Sequence, residues 1–303
     1  MKSFLLKSLL FVILLSIIDF CAGGIFQFRD KMKSGTGAKI SYIMNGLNED
    51  VIIMGSSRGF RHYNSQIFED TLGLSTYNAA INGNGIVLAS GLADLAFKDH
   101  SPQVIVYELT PTMDLNQSDN IKYLFYLKPY FDKKEIRELF YFVSKTEYIK
   151  MHSSLYRLNS YLMRMLNGII SKDNNLIKGF EPNNSVLNYE PSPPERTSFK
   201  ADSIKKVLLT QFIENAKAHN IDLFFTVSPI YSYPDTALYS SVINFVKNKG
   251  VIILDHSRDT AFVGNKRYFS DRTHLNGEGA NKISEIISSE ISTHLKSTKD
   301  GHQ

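Results

Sequence analysis

Two short stretches near opposite ends of the chain hold residue types suited to acyl chemistry. Val51-Ile52-Ile53-Met54-Gly55-Ser56-Ser57-Arg58 is an apolar run that breaks at a glycine and then delivers hydroxyls. That is how a strand-to-helix turn exposes a serine nucleophile. Asp271-Arg272-Thr273-His274-Leu275-Asn276 supplies the complement. An Asp three residues before a His can orient the imidazole and stabilise its charged form, and the imidazole then acts as general base toward the hydroxyl. Each stretch alone has a plainer reading: Ser57 as a helix N-cap, Asp271 as the cap of the last helix. Together, in this order and around an α/β pattern, they make a Ser57, His274, Asp271 set.

These motifs resemble the SGNH (GDSL-type) hydrolases. In that family the nucleophile is the third residue of a Gly-Asp-Ser block after the first strand, and Asp-x-x-His lies before the last helix. The resemblance implies that Ser57 is the nucleophile, with Ser56 in place of the usual Asp. Asn78-Ala79-Ala80-Ile81-Asn82-Gly83 looks like the family's Asn-x-Gly-x-x-Gly segment, which implies that the Gly83 amide joins that of Ser57 in an oxyanion hole. The third block departs from the family: the strand Val104–Leu109 runs into Thr110-Pro111-Thr112-Met113-Asp114, with Thr112 where the oxyanion Asn is expected. Losing such a donor costs about 10²–10³ in rate, so either Thr112 or Asn84 substitutes, or the enzyme acts slowly on a special acceptor. A divergent branch also lacks this Asn, the alginate acetylation factors and the D-alanyl transfer protein, which are membrane-anchored and paired with an integral-membrane acyltransferase. The chain looks similar to that branch. The resemblance therefore implies an ester hydrolase acting on an acylated cell-surface or capsular polysaccharide outside the cytoplasm. It leaves open an O-acyltransferase working with a membrane partner, or an inactive glycan-binding scaffold.

Several other residues carry two readings each. Arg58 either binds an anionic substrate group or stays solvated in the first turn of a helix. Tyr231, in Ser228-Pro229-Ile230-Tyr231 after the fourth strand, is placed to shape an acyl or sugar pocket. His62 and His256 are alternative bases without the Asp-x-x-His arrangement. No phosphate loop, nucleotide fingerprint or zinc spacing is present, and no cofactor or metal is expected.

The positioning elements follow from the periodicity. With 303 residues, 43% hydrophobic and 21% charged, the chain suits one large α/β domain with an insertion. A net charge of +4, from 34 basic and 30 acidic residues dispersed along the chain, excludes a nucleic-acid footprint. The single Cys21 excludes an intrachain disulfide. Apolar runs at Val51–Met54, Thr76–Ala79, Val104–Leu109, Leu223–Val227 and Val251–Leu254 alternate with helical periodicity. This predicts a parallel sheet covered on both faces; with the resemblance, the expectation is a three-layer α/β/α sandwich with a flavodoxin-like sheet of about five strands over 45–300.

Residues 115–200 interrupt the alternation and read as a helical insertion over the active-site rim. Tyr148–Ile170 reads as one long helix and Asn174–Glu195 as a loop. Tyr123, Phe125, Tyr126, Tyr130 and Phe131 are either sugar-stacking rings or core. Residues 1–30 read as a signal peptide or signal anchor, since Phe4 to Phe26 is apolar enough to span a bilayer and lacks a small-residue cleavage site. The expected place is the cell envelope, with the domain periplasmic. Asp19 within that segment is either solvated at the far interface or in contact with a membrane-bound partner.

Overall fold

The computed structural model describes residues 1–99, 101–159, 161–171, 176–192, 199–232 and 236–300. Along the chain, α1 (Lys2–Gly23) and α2 (Gly35–Asn45) precede β1 (Val51–Gly55), α3 (Ser57–His62), α4 (Ser65–Leu72) and β2 (Thr76–Asn78). Then come α5 (Ile86–Asp99), β3 (Val104–Glu108), α6 (Pro111–Asp114), α7 (Lys134–Val143), α8 (Lys145–Lys150), α9 (Ser154–Leu158) and α10 (Tyr161–Ile170). The last elements are α11 (Ser203–Ala218), β4 (Asp222–Val227), α12 (Thr236–Lys247), β5 (Ile252–Asp255) and α13 (Gly277–Asp300). Two compact units result, one of Met1–Gly46 with Asn120–Asn174, the other of Leu47–Asp119 with Asn175–Gln303.

The second unit is an α/β fold on a five-stranded parallel sheet of order β2-β1-β3-β4-β5. All five expected strands form, within a residue of their expected ends. The inner strands β1 and β3 are buried at every position, as apolar runs covered on both faces must be. Val51, Ile53, Val104 and Val106 pack with Ile283, Ile287 and Ile291 of α13, while Tyr107 stacks on Phe212 of α11. Because β1 lies between β2 and β3, the strand order reverses there, and the crevice at the carboxyl ends of such strands is where ligands bind in open α/β sheets.

The expected insertion 115–200 divides between the units. Leu115–Asp119 and the part after Asn175 belong to the α/β unit, because backbone bonds hold them there. Gln117 N–H donates to Lys200 O at 2.7 Å, Asp202 N–H to Leu115 O at 2.8 Å, and Leu187 N–H to Phe269 O at 2.7 Å. Residues 174, 175 and 193–195 of the expected loop lie outside the described residues.

In the first unit, the helical segment Lys2–Lys31 that begins with α1 is long and apolar enough to cross a membrane. Its far end is built into protein: Ala22, Phe26 and Met32 share a core with Leu158, Tyr161 and Met165. Asp19, half-buried, has partners within its own unit. Its carboxylate accepts from Ser153 Oγ at 2.6 Å, Ser154 N–H at 3.0 Å and Leu155 N–H at 2.9 Å, so it satisfies the start of α9. The expected long helix Tyr148–Ile170 is three helices, α8, α9 and α10. Ser153 leaves the helical path and its hydroxyl accepts from Tyr156 N–H, restarting the chain as α9. Tyr123, Tyr130 and Phe131 are buried, which makes them core rings of this unit rather than sugar platforms; Phe125 and Tyr126 are half-buried and meet edge to face at 5.3 Å.

The contacts of Asp19 make a prediction about α9. Asp19→Ala should remove an N-terminal cap of about 1–2 kcal/mol, and amide exchange at Ser154 and Leu155 in the detergent-solubilised chain should accelerate about 5- to 30-fold. Unchanged exchange would show that Asp19 does not hold α9.

Candidate active site

Gly55 makes the turn that presents Ser57, the candidate nucleophile. Its φ is +133°, a region closed to other residues, and a Cβ there would meet Glu108 O at 2.7 Å. The chain then enters α3. Ser56 is the N-cap residue, but its side chain makes no cap bond; its Oγ lies 2.6 Å from Thr110 Oγ1. Ser57 is the first helical residue, and its Oγ lies 2.8 Å from His274 Nε2. Ser57 is therefore not a cap.

The histidine is held from its other side. His274 Nδ1 lies 2.9 Å from Asp271 Oδ2, and the same carboxylate accepts from Thr273 N–H at 2.7 Å and His274 N–H at 2.9 Å. The Asp-x-x-His spacing thus closes an Asx-type turn on itself while the second oxygen faces the ring. Burial pulls the Asp271 carboxyl upward, but the His274 ring, the two backbone donors and the nearby imidazole charge hold it well below the usual range, so it stays ionised. Asp271 does not cap α13; Asn276 does, its Oδ1 accepting from Gly279 N–H at 3.0 Å.

The proposed oxyanion donors gather at the same edge. After β2 the chain continues beside β1, with Ile81 N–H on Gly55 O at 3.1 Å, and then turns with Asn84 N–H on Ile81 O at 3.1 Å. Gly83 supplies the positive φ of +71° in that turn. Asn84 is buried and donates from Nδ2 to Asn82 O at 2.9 Å, so its amide braces the turn. Thr112 sits exposed on α6. The residue at the end of β3 that reaches the turn before Ser57 is Thr110, two positions ahead of the expected Thr112. Pro111 is the signal that could have found it. A proline takes the first helical position and keeps the preceding residue extended, and Thr110 has φ −120° and ψ 101°.

Asp114 fixes both loops. It accepts from Thr110 N–H at 2.6 Å, Ile86 N–H at 2.9 Å and Tyr107 OH at 2.7 Å. Burial pushes its carboxyl up to about 6 against these bonds.

Arg58 is not solvated; its guanidinium is engaged inside the protein. It is buried, with Nη2 2.5 Å from Glu108 Oε1 and bonds to Ser228 O at 2.6 Å and Tyr239 OH at 2.6 Å. Neither alternative histidine replaces His274. His62 is buried, with Nδ1 2.7 Å from Ser228 Oγ, and His256 pairs with Glu290 at 3.1 Å beyond β5. Tyr231 N–H donates to Arg272 O at 2.9 Å and its hydroxyl to Glu190 Oε1 at 3.2 Å, which places the half-buried ring beside the Asp271–His274 loop. No group of His, Cys, Asp and Glu able to hold a metal exists among the described residues.

No protein-family model and no curated protein matches the chain. Among solved structures, a "putative acylhydrolase" from Bacteroides fragilis NCTC 9343 aligns over 84% of this chain and 95% of its own, at 13% identity and a TM-score of 0.42. A GDSL-like lipase from Bacteroides thetaiotaomicron VPI-5482 aligns over 80% and 88%, at 14% identity and a TM-score of 0.39.

Asp114 makes a pH prediction. Folding raises its pKa from 3.8 to about 6, so the fold favours the protonated form. The stability this contributes is full below pH 3.8 and is lost as pH rises through about 6, on the order of 3 kcal/mol. Melting midpoints of the full chain from pH 4 to 7 should fall more steeply for the wild type than for Asp114→Asn. Equal slopes would assign the dependence elsewhere.

Proposed function

We propose that the chain is a serine-dependent ester hydrolase. The observation that carries this is the continuous contact from Ser57 Oγ to His274 Nε2, 2.8 Å, and from His274 Nδ1 to Asp271 Oδ2, 2.9 Å. In the reaction, the Ser57 proton passes to His274 Nε2 as Oγ attacks the ester carbonyl, whose oxygen becomes an oxyanion. Collapse expels the alkoxide, which takes the proton from His274, and leaves an acyl-enzyme. Water then gives a proton to His274 and attacks the acyl carbon, and the carboxylic acid leaves as the proton returns to Ser57. Asp271 stays ionised throughout and stabilises the imidazolium.

The Ser57 and Gly83 amides are the proposed backbone donors to the oxyanion. The missing Asn is replaced by the Ser56–Thr110 hydroxyl pair. One proton is spent between the two oxygens 2.6 Å apart, and the accepting hydroxyl keeps its own proton to donate.

For substrate we propose an acyl ester of a cell-surface carbohydrate, as the family resemblance implies. In that reading α1 lies in the membrane and the α/β unit outside the cytoplasm, and Tyr231 lines the pocket. The acyl-transfer alternative loses one support, because Asp19 is engaged within its own unit.

The test is labelling by a fluorophosphonate and turnover of acetate esters by the full chain in detergent. Ser57→Ala and His274→Ala should abolish labelling, and Asp271→Asn should lower kcat by roughly 10⁴. Labelling that persists in Ser57→Ala would end the proposal. Thr110→Val should lower kcat about 10- to 100-fold, near the lower range for one oxyanion donor, while exposed Thr112→Ala stays within about twofold. The reverse ranking would return the donor to Thr112.

A further inference from the structure

Beneath the triad lies a second hydrogen-bonded chain that the acyl chemistry above leaves unused. Leu275 N–H, one residue after the base, donates to His62 Nε2 at 3.0 Å. A ring nitrogen that accepts carries no proton, so in the neutral ring the proton sits on Nδ1, 2.7 Å from Ser228 Oγ. Ser228 Oγ in turn donates to Glu108 Oε1 at 2.8 Å. Burial, with the Arg58 charge beside it, holds the His62 imidazole well below its usual range, which agrees with a neutral ring.

The topology gives this chain its meaning. Ser57 and His62 are the first and last residues of α3. Two successive residues of the His loop attach to them: His274 by its ring to Ser57 Oγ, and Leu275 by its backbone to His62. A single side-chain bond leaves a loop free to swivel about it, whereas two bonds to one helix fix both distance and direction. The helix itself is pinned, since Arg58 binds Glu108 at the end of β3 and Ser228 after β4. From α13, Ser284 Oγ donates to His62 O at 3.2 Å.

We propose that His62 is a positioning residue for the reaction, its Nε2 anchoring the His274 loop to the nucleophile helix through the Leu275 amide. This rests on the serine-hydrolase reading. Displacing a reacting group by about 1 Å can cost on the order of 10²-fold in rate, so the effect belongs in kcat rather than KM.

Two variants separate the anchor from mere packing. In His62→Gln the side-chain oxygen falls near the Nε2 position and still accepts from Leu275, but the donor to Ser228 is lost. In His62→Asn the amide nitrogen falls near Nδ1 and still donates to Ser228, but the acceptor is lost. With the full chain in detergent and an acetate ester, His62→Asn should lower kcat about 10- to 100-fold with KM within twofold, and His62→Gln should stay within about fivefold of wild type. Equal kcat in all three, or equal losses in both variants, would overturn the proposal. Nitrogen-15 resonances of the imidazoles give a readout that does not depend on turnover. His62 should be protonated on Nδ1, and the His274 signals should move in His62→Asn but not in His62→Gln. A wild type that resists fluorophosphonate would sink the hydrolase reading, and the His274 signals would still decide the anchor.

Discussion

The carboxyl edge of the sheet is organised by one buried acid. Glu108 ends β3 with no solvent exposure, where an isolated carboxylate would cost several kcal/mol in lost hydration. It is surrounded by donors from four directions: Arg58 from α3, Ser228 from the end of β4, Thr226 Oγ1 at 2.9 Å from within β4, and the Tyr63 hydroxyl after α3. A buried ion pair contributes little net stability against an apolar substitute, but breaking one side costs about 3–5 kcal/mol. The consequence is geometric. The helix bearing Ser57 cannot slide along the sheet without uncovering a charge, and the strand end that carries Thr110 is held to the same centre.

This explains why the turn from β1 into α3 can be tight. Gly55 lies opposite Glu108 in register, and the absence of a side chain lets the backbone of β1 touch that of β3 before it swings into α3. Asn78 completes the turn on the other flank, its Nδ2 donating to Gly59 O at 2.8 Å and Tyr63 O at 2.9 Å while its Oδ1 accepts from Ala80 N–H at 3.1 Å. Both loops beside Ser57 are therefore set by buried polar side chains with few alternative partners, the condition under which a polar core specifies one arrangement.

What the sequence made legible was local or periodic. The five strands are apolar runs of the right length between breakers, and the Asp-x-x-His turn closes within four residues. What stayed hidden depends on distant partners. Arg58 reads either as an anion binder or as a solvated helix residue until Glu108, fifty residues later, is folded against it. The break at Ser153 needs a carboxylate 134 positions away. The aromatic stretch Tyr123–Phe131 has helical spacing under either reading, and only the packing of a separate unit turns its rings inward. Thr110 and Thr112 differ in a subtler way: both follow the same strand, and the intervening proline alone decides which stays extended beside Ser56 and which turns away on α6.

The Ser56 and Thr110 hydroxyls, proposed above to stand in for an oxyanion Asn, are best understood together. A side-chain amide offers two protons of fixed direction, so one Asn serves an oxyanion and its own support at once. A hydroxyl offers a single proton that rotates, and alone it would be drawn to any nearby acceptor. Pairing two hydroxyls removes that freedom, because the proton shared between Ser56 and Thr110 fixes one oxygen as donor and leaves the other's proton available. Thr110 is steadied further by its backbone N–H on Asp114 Oδ2, the carboxylate that also holds the start of α5 behind the Gly83 turn. A substitution at either hydroxyl thus alters the partner as well, and the two positions behave as one element of the site rather than as two independent replacements.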